Sequence, residues 1–101
     1  MKITVKGQEY DFVVTGTLGL AYLAERALGC PLEDGNRFHT LMLYYCCLCA
    51  SNRDKELPDI VDFIASLTSA KLKELSEYFW EAWKELEGAT PEDKEAPAGE
   101  D

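Results

Sequence analysis

The stretch KITVKGQEYDFVVT, residues 2–15, decides the fold class. Ile3 and Val5 alternate with Lys2, Thr4 and Lys6; after Gly7-Gln8, Tyr10, Phe12 and Val14 alternate with Glu9, Asp11 and Val13. Alternation with period two on both sides of a short Gly-containing connection predicts a β-hairpin over residues 2–14. A lone hairpin is not stable in water, so its apolar face must lie on the rest of the chain. The rest, as far as about Gly88, reads as helix. The expected fold is therefore α+β, mainly α: an N-terminal hairpin packed on a bundle of about four helices. Residues 1–88 form the single domain, and 89–101 form a disordered acidic tail.

Working outward from the hairpin, Thr17 is the expected N-cap of a helix over Leu18–Leu28, with Gly29 just past its end. Leu20, Leu23, Ala24, Ala27 and Leu28 share one face of it, and Tyr22, Glu25 and Arg26 the other. Pro31 and Asp34-Gly35 break the chain into a loop. A second helix is expected over Arg37–Ser51, capped by Asn36. Phe38, Leu41, Met42, Tyr45 and Cys49 form one face, yet Leu43, Tyr44, Cys47 and Ala50 make the opposite face apolar too. A helix that is apolar all round is buried on all sides. One chain of 101 residues has little material for that, so a partner or a second copy is expected over the remaining face. Pro58 fits the first turn of a third helix, with Ile60, Phe63, Ile64 and Leu67 as its stripe. Thr68 or Ser69 caps a fourth, Ala70–Glu87, with Leu72, Leu75, Phe79, Trp83 and Leu86 inward. Gly88 stops it.

Bulk properties narrow the function. The formal net charge is −9, and the segment 89–101 carries five acids and one lysine of that total. Phosphates would be repelled, so neither nucleic acid nor an anionic membrane is an expected partner. The longest apolar run, Leu41–Ala50, has ten residues, against ~20 for a membrane helix. No signal-peptide pattern stands at the N-terminus. A cytoplasmic protein with reduced thiols is expected.

No constellation reads as catalytic. Cys46, Cys47 and Cys49 cluster on one helix with His39 two turns earlier, but the spacing is wrong for a zinc knuckle and no second Cys or His group follows. Buried cysteine behaves as a small hydrophobe, and packing is the expected role. His39 and Cys46 lie about 10 Å apart by helical rise, too far for a nucleophile–base pair, so His39 is expected to be partly exposed and to have no catalytic role. Asp59, Asp62, Glu77, Glu81 and Glu85 follow the solvent sides of helices. No cofactor and no metal are expected. Trp83 falls in the fourth helix's stripe. Trp80 sits about 80° from Leu72 at ~100° per residue, where it either covers the core edge or anchors a partner. Leu43, Tyr44, Cys47 and Trp80 are the candidate partner-binding residues, toward a second copy or a helical client.

The layout resembles the tail assembly chaperones of long-tailed bacteriophages and prophages over Met1–Gly88. The resemblance rests on the opening MKITVKGQEYDFVVT, the helix TLGLAYLAERALG, a central apolar helix, the PDIVDFIASL segment, a Thr/Ser cap and the final KLKELSEYFWEAWKEL. Leu23-Ala24-Glu25-Arg26-Ala27-Leu28-Gly29 is close to that family's leucine–glutamate–x–x–leucine–glycine stretch. The resemblance implies a non-enzymatic protein that coats the tape measure protein, helps recruit major tail (tail tube) protein subunits, and is absent from the finished virion. Such proteins often have a longer form made by ribosomal frameshifting. Two alternatives stand beside this: a dimeric adaptor or regulator of a mobile element, and a small Cys-based metal protein.

Overall fold

The computed structural model describes residues 1–88, so the expected tail over 89–101 lies outside the described residues. The order of elements is β1 (Lys2–Val5), β2 (Gln8–Asp11), α1 (Thr17–Leu28), α2 (Arg37–Ser51), α3 (Ile60–Ala65) and α4 (Ser69–Gly88). This is the α+β, mainly α architecture expected from the sequence.

β1 and β2 pair antiparallel, Ile3 opposite Tyr10 and Val5 opposite Gln8. The connection is Lys6-Gly7, one residue earlier than the sequence pattern suggests. Both residues have positive φ, 52° and 77°, the mark of the two-residue turn whose twist matches that of the strands. Lys6 takes up a left-handed conformation that glycine adopts more readily, while its ammonium reaches Asp62 Oδ2 at 3.1 Å. Pairing runs beyond the strands: Phe12 N–H donates to Met1 O at 2.8 Å, and the Met1 ammonium donates to Phe12 O at 3.2 Å. Ile3, Val5, Tyr10, Phe12 and Val14 are all buried, as the alternation requires.

α2 is the central element. It packs against α1, α3 and β2, and Tyr44 meets Phe79 and Trp80 of α4, with ring centroids 4.8 and 6.5 Å apart. Asn36 caps it by accepting from His39 N–H, as the sequence indicates. Its two faces are reversed from the expectation. Leu43, Tyr44, Cys46, Cys47 and Leu48 are buried, whereas Phe38 is exposed and Leu41, Met42, Tyr45 and Cys49 are half-buried. Periodicity ranks faces by apolar content, and here both qualify; the hairpin, α1 and α4 select the one they cover.

Other ends differ in detail. Gly16, not Thr17, is the N-cap of α1, with no side-chain hydrogen bond, and Gly29 closes that helix in the left-handed conformation at φ 78°. Asp59, not Pro58, begins α3: its carboxylate accepts from Val61 N–H at 2.8 Å, and Pro58 stands just before the cap. Thr68 caps α4 through Oγ1, which accepts from Lys71 N–H at 3.0 Å. Phe63, Leu75 and Phe79 enter the core, while Leu86 reaches solvent.

A buried asparagine ties the hairpin to the helices. Asn52, the C-cap residue of α2, is fully buried. Its Oδ1 accepts from Asp11 N–H at 2.9 Å, and its Nδ2 donates to Asp11 O at 2.8 Å and Leu48 O at 2.7 Å. An unpaired buried polar group costs about 1–3 kcal/mol, and Asn52→Ala leaves several. That substitution should lower unfolding stability by about 3 kcal/mol, read as a shift in the urea midpoint at unchanged m-value.

Candidate functional site

The surface expected from the sequence does not exist as drawn. Leu43, Tyr44 and Cys47 are buried within the chain itself, and of the four candidate partner residues only Trp80 is open, 43% exposed. The reason is the crossing of elements over α2. Cys47 Sγ donates to Val13 O at 3.3 Å, behind the hairpin. Tyr44 OH donates to Ser76 Oγ at 3.0 Å and accepts from Trp80 Nε1 at 2.9 Å, beneath α4. Trp80 is thus both partly exposed and tied to the core, while Trp83 is half-buried and stacks on Phe79 at 5.5 Å.

The open apolar face belongs to α1. Only Leu20 and Ala24 of that helix are buried. Leu23 and Ala27, expected inward, point out, joining Leu18, Gly19, Tyr22 and Arg26. Leu18 is 85%, Tyr22 60% and Leu23 40% exposed. Residues at i, i+4 and i+8 form a row along a helix, so Leu18, Tyr22 and Arg26 make one row and Gly19, Leu23 and Ala27 the next. One charge among six outward residues is unusual for a helix facing water, whose outer side is ordinarily charged or polar. Contiguous exposed apolar surface of this kind marks interaction sites.

Gly19 sharpens the point. A Cβ placed on it meets nothing within 4 Å, and it has no positive φ. Neither conformation nor packing in this chain calls for glycine there. What glycine does supply is room for another backbone to approach.

The cysteines divide sharply. Cys46 and Cys47 are buried, Cys49 is half-buried and Cys30 is exposed. Burial pushes the Cys46 thiol up to about 11 and the Cys47 thiol up to about 12, and burial also raises Cys49. Burial raises Tyr45 to about 12, helped by its hydrogen bond with Cys49. His39, expected to be partly exposed, is buried. Its Nδ1 accepts from Glu33 N–H at 3.0 Å, and its Nε2 stands 3.8 Å from Cys30 Sγ. Sequence spacing directed attention to Cys46; the α1–α2 connection instead folds Cys30 back onto the imidazole. Among the described residues no three His, Cys, Asp or Glu side chains converge as a metal site would require, and no helix is long and apolar enough to cross a membrane.

Comparisons with protein-family models, curated proteins and solved structures give no match to this chain.

Three outcomes follow from this geometry. In the folded protein one thiol, Cys30, should react rapidly with an aromatic disulfide reagent, and the other three only after denaturant is added. Unfolded thiols ionise near 9.0, whereas Cys46 and Cys47 hold their protons to about 11 and about 12. Their contribution to stability is therefore full below pH 9 and falls as pH rises from there through the folded values. Urea midpoints measured from pH 8 to 11 should decline accordingly. Gly19→Ala should raise stability by about 0.5–1 kcal/mol, because a helical glycine is disfavoured by that amount and the new methyl group meets open space; thermal unfolding checks it.

Proposed function

We propose that this chain is a tail assembly chaperone of a long-tailed bacteriophage or prophage. It would act without catalysis in the host cytoplasm, binding the tape measure protein and helping to recruit tail tube subunits during tail morphogenesis. The observation that carries the proposal is the outward face of α1. Its residues Leu18, Gly19, Tyr22, Leu23, Arg26 and Ala27 lie within TLGLAYLAERALG, a segment on which the resemblance to that family rests. A chaperone for a long, aggregation-prone helical client needs apolar surface held open on a domain that stays dispersed itself. This chain offers such a face at a net charge of −9, and net charge of that size opposes self-aggregation. An amphipathic client helix would lay its apolar stripe along the Leu18–Tyr22 row. The missing side chain at Gly19 would let the two backbones come close.

The test is co-expression with the product of the gene directly downstream, which on this reading is the tape measure protein. With the wild-type chain the client should remain in the soluble fraction and co-purify. Tyr22→Asp should abolish that recovery while shifting stability by only about 0.5 kcal/mol or less, since the side chain is exposed. A client whose solubility is the same with and without this chain would refute the proposal.

A further inference from the structure

A second open feature lies away from the α1 face. A pocket of about 260 Å³ is lined by Leu32, Glu33, Asp34 and His39 from the α1–α2 connection and the start of α2, and by Trp80 and Trp83 of α4. We propose that this pocket binds a guanidinium group, that of an arginine side chain presented by another protein chain.

The two indole rings form the first half of the argument. Their centroids are 5.6 Å apart, their planes meet at 61°, and both line the pocket. Their positions are fixed from behind: Trp80 Nε1 donates to Tyr44 OH at 2.9 Å, and Trp83 stacks on Phe79. The face of an indole attracts a cation more strongly than any other side-chain ring.

Charge supplies the second half. Asp34 and Glu33 line the same pocket and are exposed. One Glu33 oxygen accepts from Asn36 Nδ2 at 3.0 Å, and no cation pairs with either carboxylate among the described residues. A ligand that meets both the carboxylates and the indoles is therefore best served by positive charge on one part and a flat apolar surface on another. Guanidinium combines the two in one plane: it stacks on an aromatic face while its N–H fork meets a carboxylate, and it sheds water more easily than ammonium does. The site does not depend on which client the protein serves.

The pocket holds both tryptophans of the chain, so intrinsic fluorescence reports on it directly. The full chain is titrated with N-acetylarginine amide at constant ionic strength, following tryptophan emission and the amide resonances of Asp34 and Gly35. N-acetylcitrulline amide, the neutral isostere, and N-acetyllysine amide serve as comparisons. Arginine amide should give a saturable response, about tenfold tighter than citrulline amide and tighter than lysine amide. Asp34→Asn, in an exposed loop, should keep the wild-type melting curve and weaken arginine binding about fivefold, as expected for one exposed ion pair. A non-saturable response, equal affinity for citrulline or lysine amide, or unchanged affinity in Asp34→Asn would each overturn the assignment.

Discussion

The bond set of Asn52 is the constraint on which the rest of the structure depends. A two-stranded hairpin has no stability of its own, and this one must be held by the helices it covers. Asn52 presents an amide to the backbone of Asp11 as a further strand residue would, donating and accepting in the same plane, and it also closes the last turn of α2 through Leu48 O. Ser51 continues the seam, its Oγ accepting from Val13 N–H at 3.0 Å. Two consecutive polar residues at the end of the most apolar helix therefore fix the register of hairpin against helix. With that register set, Phe12 reaches Tyr78 and Phe79 of α4, at centroid separations of 6.1 and 6.2 Å.

Fixing the hairpin there has consequences for every other surface. It closes one side of α2, α4 closes another, and α1 lies along a third, so the chain itself buries Leu43, Tyr44, Cys46, Cys47 and Leu48, while Phe38 on the other face stays exposed. α1 pays for this by having few neighbours left. It rests on α2 through Leu20 and Ala24 and turns Leu18, Tyr22 and Leu23 to solvent. The apolar surplus apparent in the sequence is real, but its larger share is carried by α1, with Phe38 the exposed apolar residue of α2.

The polar network around Tyr44 links this core to the second open feature. Its hydroxyl accepts from Trp80 and donates to Ser76, so the indole at the pocket wall is held by a buried partner. A wall so anchored keeps its shape when nothing is bound, which lowers the entropy lost on binding. The nearby thiols take no part in this. Cys46 and Cys47 fill space as small hydrophobes with protons firmly held, consistent with the packing role expected of buried cysteine.

The amino-acid sequence by itself determined the hairpin, the number and order of the helices, the Asn36 cap and the inward set Ile3, Val5, Tyr10, Phe12 and Val14. Each of these follows from local periodicity or from a side chain bonding its own neighbours, and such signals are complete within a few residues. Tertiary structure alone decided which face of α2 is buried, because Leu43 and Tyr44 are no more apolar than Phe38 and Met42, and the choice falls to the elements that cross them. It alone placed Cys30 beside His39 and gathered Trp80, Trp83 and Asp34 around one pocket, since those contacts join segments whose separation in the chain carries no pattern. Even α1 shows the limit: an amphipathic stripe was legible in it, but how much of that stripe is covered depends on how many neighbours the fold has left to offer.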